Sequence, residues 1–282
     1  MGISMKSRFW LGSICFILSL IFKLPSPAMA FDNVDLKKAD LLFKNGQYLE
    51  SLKIVTLCLK AKSDKEMSDL EKCLYLGENI TNKAIEHLNK KIDDNRFKNN
   101  RPNISSSDLD APYKQIGLKL TEEYGTSRVI YDCDFFKRLK ELFPHSKYKS
   151  EYEYVLIRSK MIHGPWKESE KALKEYLIEF PDGKYSIDAK YWLAMIYKSL
   201  WSIINPELNS QRTDVKYFRT GDNKADIEQA EKYRKMSINL FEEIISSKNN
   251  PSDPYIIEWV KQCLPYIKKG IPSGGDAIPY DV

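Results

Sequence analysis

The feature that most constrains the fold is an internal repeat. Residues 136 to 157, FKRLKELFPHSKYKSEYEYVLI, align with residues 173 to 194, LKEYLIEFPDGKYSIDAKYWLA, at a constant offset of 37. Phe143-Pro144 falls on Phe180-Pro181, Lys147-Tyr148 on Lys184-Tyr185, Tyr154 on Tyr191 and Leu156 on Leu193. Each copy reads as an amphipathic helix, a Phe-Pro stop, a short polar turn and a second amphipathic helix. Proline ends the first helix because it has no N–H and biases the preceding residue away from helical angles. Such a helix-turn-helix unit cannot bury its apolar face alone and must stack on its neighbours. The expected fold class is therefore all-α, a helix-turn-helix solenoid.

The small and large residues within the unit follow a recognisable order. Leu193, Ala194 and Tyr197 supply a large, a small and an aromatic residue on a first helix. Trp166, Ser169, Leu173, Tyr176 and Pro181 supply the matching series on a second. The stretch ADLLFKNGQYLESLKIVTLCL repeats it with Ala39 and Leu42, then Tyr48, Ser51, Val55 and Cys58. This pattern resembles the tetratricopeptide (TPR) repeat, more closely its exported bacterial relatives, the outer-membrane β-barrel assembly lipoprotein and the periplasmic coordinator of the Tol-Pal system. The resemblance covers roughly residues 34 to 60 and 132 to 201, and a further copy is expected at 230 to 247, with apolar Ile238, Phe241, Ile244 and Ile245. Ser51 and Ser169 stand where alanine is usual. Small residues admit a neighbouring helix at close range, so Ala194 and Ser169 read as contact points and not as chemistry. Residues 61 to 131 lack the signature and are either a divergent repeat or an insertion.

The first 30 residues carry a different message. Lys6 and Arg8 precede an apolar run from Phe9 to Phe22 and a small-residue exit at Ala28-Met29-Ala30, the three parts of a secretory signal. The run is shorter than the roughly 20 residues that span a bilayer. Cleavage after Ala30 is expected to release a mature chain beginning at Phe31, periplasmic or secreted; retention as an anchor is the alternative. Removing Lys6, Arg8 and Lys23, with no acid, leaves 41 bases against 39 acids, so the apparent excess of +5 falls to +2. Basic clusters such as NKKIDDNRFKNNR mix in acids and amides, which speaks for solvated helix faces and against nucleic acid as a partner.

Four cysteines remain in the mature chain, Cys58, Cys73, Cys133 and Cys263, an even set suited to an oxidising compartment. Cys58 and Cys73 flank a polar turn between two helical patterns. A bridge there would close a loop of about 15 residues and stabilise by roughly 3 kcal/mol in the chain-entropy account. Two buried free thiols are the alternative. Catalytic signals are few. His87, His145 and His163 have no metal-ligand spacing, and His145 occupies a turn position. Asp132 and Asp134 read as acids entering a helix. GxSxG, HExxH and phosphate-cradling loops are absent from the sequence. No cofactor or metal is implied.

The segments between the repeats complete the expected organisation. Residues 31 to 94 read as N-terminal helical hairpins, 95 to 112 as a polar linker, 113 to 268 as the repeat block and 269 to 282 as a flexible tail. An inserted loop at about 205 to 226 carries Tyr217 and Phe218 beside Arg212, Lys216 and Arg219, and is either a spacer or a partner contact. On a helix from Ser186 to Leu200, Asp188, Tyr191, Met195 and Lys198 share a face. Glu151, Tyr154, Arg158 and Met161 are their counterparts one copy earlier. In the resembled family this stripe lines the concave groove, so it is the expected partner-binding surface, its tyrosines forming a ladder with basic flanks. Packing of both tyrosines against the next helix is the competing reading. The resemblance implies a non-enzymatic scaffold for envelope proteins, touching the membrane only through partners. The other class is an envelope enzyme or small-ligand binder with its site in residues 61 to 131.

Overall fold

The computed structural model describes residues 33–60, 67–99, 106–123, 128–161, 165–208 and 216–272. The export segment, residues 1–30, lies outside them, as do Arg212, His163 and residues 273–282 of the expected tail. The described residues are predominantly helical. Among them ten α-helices run α1 (Asn33–Lys44), α2 (Tyr48–Lys60), α3 (Met67–Asn99), α4 (Ser106–Gln115), α5 (Asp134–Leu142), α6 (Lys149–Met161), α7 (Trp166–Glu179), α8 (Ser186–Ile204), α9 (Asn223–Ser246) and α10 (Tyr255–Lys268). An antiparallel pair, β1 (Leu120–Glu122) and β2 (Val129–Tyr131), stands between α4 and α5, with Thr121 opposite Ile130. Among the described residues no helix is long and apolar enough to cross a membrane.

The repeat is carried down to single backbone hydrogen bonds. The Phe143 N–H donates to Leu139 O and the Phe180 N–H to Tyr176 O, each at 2.8 Å. Ser146 N–H then donates to Phe143 O, and Gly183 N–H to Phe180 O. Lys149 N–H follows to Ser146 O, and Ser186 N–H to Gly183 O. The two stop residues share one backbone conformation, φ −133°, ψ 64° at Phe143 and φ −129°, ψ 62° at Phe180. Proline at the next position stops both helices in the same way.

Packing follows chain order, α1 on α2, α2 on α3, then α5 through α10 each on the next, with α8 and α9 in the most extensive contact. α3 packs on α5, so α4 and the β pair are inserted between two helices that touch. Of the expected linker, residues 95–99 belong to α3 and residues 106–112 to α4, with Pro112 inside the latter, and residues 100–105 lie outside the described residues. The described part of the middle segment supplies α3, packed on α2 and α5, followed by α4 and the β pair. Gly77 on α3 shows how close the stack is, for a Cβ there would lie 3.1 Å from Val55 and 3.2 Å from Phe135.

Two cores result. The first gathers Leu52, Val55, Leu74, Ile80, Phe136, Leu139 and Tyr152 around α3, and the second gathers Leu173, Leu193, Tyr197, Trp201, Phe241 and Val260 around α8. α6 joins them, turning Tyr152 and Leu156 to the first and Tyr154 and Met161 to the second. Of the pattern residues, Ala39, Ser51, Val55, Ser169, Leu173, Tyr176, Leu193, Ala194 and Tyr197 are buried, Leu42, Tyr48, Cys58 and Trp166 are half-buried and Pro181 is exposed. Ser51 fills its slot by donating its hydroxyl to Ala39 O at 2.6 Å. Of the later copy, Phe241 and Ile244 are buried while Ile245 is exposed.

Cys58 and Cys73 are joined by a disulfide, with Cα atoms 6.9 Å apart, tying α2 to α3. Cys133 and Cys263 are buried free thiols.

Candidate functional site

The stripe expected to line a partner groove is occupied within the chain. Tyr154, Met161, Asp188, Met195 and Lys198 are buried, the last two charged groups at 2% and 1% exposure, and Glu151, Arg158 and Tyr191 are half-buried. For Asp188 and Tyr191 the cause is the return of α9 and α10 over α8. Asp188 accepts the Ser252 N–H at 3.0 Å and the Ser252 hydroxyl, which pins the α9–α10 connection. Tyr191 meets the Trp259 ring edge-on at 5.6 Å. Tyr154 stacks on Tyr185 at 4.6 Å, not on Tyr191, and Arg158 lies 3.6 Å from the Trp192 ring centroid. Burial lowers the Arg158 pKa. Glu151 is held by the Tyr75 hydroxyl at 2.9 Å and the Lys184 ammonium at 2.8 Å. These eight residues are packing and tethering groups, and the aromatic ladder is not formed.

In the described part of the inserted loop, Arg219 and Phe218 turn toward the rest of the chain. Arg219 donates to Ile203 O at 3.1 Å and to Asn205 O at 3.4 Å, satisfying carbonyls left open at the end of α8. Phe218 sits 6.5 Å from Trp166. Tyr217 is exposed.

One ionisable cluster does converge in the middle segment. Glu78 is fully buried, accepting the Phe136 N–H at 3.1 Å, the Tyr131 hydroxyl at 3.3 Å and the Asn82 amide at 3.3 Å. The Tyr131 oxygen accepts the Phe135 N–H at 3.0 Å. Together they satisfy two N–H groups at the start of α5, where Cys133 holds a left-handed conformation of φ 52° that a residue with a side chain adopts only at some cost. Desolvation pushes the Glu78 carboxyl up to about 7, opposed by the Phe136 N–H and by hydrogen bonds from Cys133, Tyr131 and Asn82. Burial also raises Tyr131 and Cys133. Glu78, Tyr131 and Cys133 are all under a tenth exposed, so the cluster serves as a cap and strut between α3, β2 and α5. Its position was legible: Leu74, Glu78 and Thr81 share one helical face by their spacing, and that face is core.

A concavity lies elsewhere among the described residues. A groove of about 780 Å³ opens between α5 and α7, with α6 as its floor. Leu156, Ile157, Ala172, Tyr176 and Phe180 give it an apolar base, and five glutamates and three lysines rim it. Lys140 is bonded to Glu153 at 2.7 Å across the rim, and Lys137 to Asp132 outside it. Sequence reasoning missed this surface because it looked for the inner stripe of α6 and α8 and not for the space between α5 and α7. No group of three or more His, Cys, Asp or Glu placed to hold a metal ion occurs among the described residues.

These features define a mostly α-helical protein built in part from a repeated helix-turn-helix unit. Comparison with known protein families, with curated proteins and with solved structures gives no match.

Proposed function

We propose that the protein is an exported, non-enzymatic scaffold of the cell envelope, a TPR-like helical solenoid that holds a protein partner. The observation that carries this reading is the 37-residue unit, whose two copies share three successive turn hydrogen bonds at equivalent positions. Stacked repeats of this kind offer extended grooves suited to polypeptide partners. The secretory signature of residues 1 to 30 and the Cys58–Cys73 disulfide both favour an oxidising compartment outside the cytoplasm. Buried polar groups such as Glu78 and Asp188 are spent on tying elements together, which favours a binding role over catalysis.

The docking surface in this reading is the groove between α5 and α7, since the inner stripe of α6 and α8 is covered. The test is site-specific photocrosslinking in intact cells. A photoreactive residue at Ala172 or Glu168 should capture one discrete envelope protein, while the same residue at Ile178, exposed and outside the groove, should not. Equal capture at all three positions removes the groove assignment. Fractionation with N-terminal sequencing checks export: a periplasmic chain beginning at Phe31 supports it, and a cytoplasmic chain retaining residues 1 to 30 counts against it.

A further inference from the structure

The repeat offset says what the groove lacks. Thirty-seven residues after its floor residues Leu156, Ile157 and Lys160 stand Leu193, Ala194 and Tyr197. In that later copy Tyr197 closes the corresponding space. Its hydroxyl donates to Glu170 of α7 at 3.0 Å, its ring lies 5.7 Å from Tyr233 of α9, and Lys174 of α7 sits 5.6 Å from its centroid. Tyr197 is only 1% exposed. In the earlier copy Lys160 is exposed and lines the open groove. Lys137, the counterpart of Lys174, lines it too. The walls of an aromatic slot are therefore repeated, with Lys137 on one of them, although Cys133 stands where Glu170 does, and the ring is missing.

We propose that a partner segment supplies this ring, inserting an aromatic side chain between α5 and α7 with a basic group beside it. The inference rests on the scaffold reading of this groove and names the chemistry of its occupant. The volume suits it, for about 780 Å³ falls within the ~300–1,000 Å³ of ligand pockets. The charge supports the basic group. Of the rim's five carboxylates, Glu153 is bonded to Lys140, Glu179 to Lys149, and Glu175 faces Lys171 at 3.9 Å. Glu141 and Glu168 have no cation among the described residues, whereas only three lysines line the groove. A ring placed as Tyr197 is placed would lie beside Lys137, whose ammonium would turn from Asp132 to meet its π face, and a neighbouring ammonium or guanidinium would meet Glu168 or Glu141. Aromatic and arginine anchors are the groups that dominate interface energetics when a pocket receives them.

The test uses the full mature chain and three small probes, read by NMR of methyl and amide signals. Tyramine joins a phenol ring to an ammonium, p-cresol has the ring alone and n-butylamine the charge alone. Tyramine should shift Leu156, Ile157 and Ala172, and each single-feature probe should bind about fivefold more weakly. Glu168→Gln should bring tyramine to the level of p-cresol. Lys160→Tyr, which places the missing ring on the chain itself, should raise the melting temperature and abolish the tyramine shifts. Should Lys160→Tyr fail to fold, Ala172→Leu fills the groove from the opposite wall and should block the probe in the same way. Shifts scattered over the surface, or tyramine binding unchanged in a folded filling variant, overturn the proposal. Probe binding without any photocrosslinked protein leaves the slot standing and removes the scaffold reading; crosslinking without probe binding does the reverse.

Discussion

The two cores are held together by different means. Around α8 the chain relies on size: sixteen of its residues are buried, among them Trp201 and Tyr197, and Phe241 and Trp259 close the far side. Around α3 it relies on specific ties: the Cys58–Cys73 bridge, the Glu78 strut to α5, and Asn89, which bonds both the N–H and the carbonyl of Val129 to dock the β pair. The difference follows from the insertion. A helix that packs on its sequence neighbour closes its interface with a short turn, but α3 must reach α5 across α4 and two strands, and bulk apolar packing does not fix register over such a distance. Polar and covalent ties do, because each admits one geometry.

The comparison breaks most severely at Phe241. It is fully buried against Tyr191 and Trp259, and Phe241→Ala should cost about 3–5 kcal/mol by lost burial and cavity formation. Urea unfolding should show the loss. Native-state hydrogen exchange should place it first in α8, α9 and α10, with α3 still protected. Equal loss of protection in both halves would mean that the cores unfold as one unit.

Acidity separates the halves in the opposite sense. Glu78 ionises at 4.5 in an unfolded chain but at about 7 when buried. The folded chain therefore holds a proton that the unfolded chain has released, and its stability is full below about 4.5 and falls as pH rises to about 7. The loss levels off above that, at about 3 kcal/mol. Protection of the α5 amides should fall over this range, and Glu78→Gln should make the profile flat. A profile unchanged by Glu78→Gln would assign the titration to another group. Reduction of Cys58–Cys73 should remove about 3 kcal/mol at any pH, and peptide mapping should find the exchange increase in α2 and the start of α3.

How far these features were readable from sequence depends on whether they repeat. The Phe-Pro turns, the small slots at Ala39, Ser51, Ser169 and Ala194, and the helices flanking them follow from spacing, since each recurs where geometry demands it. The disulfide was half legible, because sequence placed two cysteines beside one turn and left open whether they meet. The covering of Tyr191 and Asp188 was not legible. It depends on α9 and α10 folding back after a break at 205 to 222, and nothing local to α8 records what returns to it. Glu78 shows the reverse case, a residue whose buried face was present in the helical period but whose hydrogen-bond partners come 53 and 58 residues later.

The smallest effect tests how deep the likeness of the two turns goes. Ser146 and Gly183 are equivalent, and their backbones make the same hydrogen bonds, yet only one has a side chain. Ser146 uses it, donating its hydroxyl to Glu71 of α3 at 2.6 Å. A Cβ on Gly183 would instead fall 2.7 Å from the Ser150 hydroxyl oxygen and 3.0 Å from the Phe180 Cβ. The glycine is thus required by what the turn faces and not by its backbone angles. Ser150 is not free to move at no cost, for its hydroxyl shares a 2.9 Å hydrogen bond with the Tyr176 hydroxyl. Gly183→Ala should therefore lower stability by about 1 kcal/mol, the worth of one such bond. Adding Ser150→Ala should cost little more, because the atom in the way is gone and Tyr176 has already lost its partner. A double mutant that loses about 1 kcal/mol more would show that the Ser150–Tyr176 bond survives in Gly183→Ala and would place the conflict at Phe180, within the turn itself.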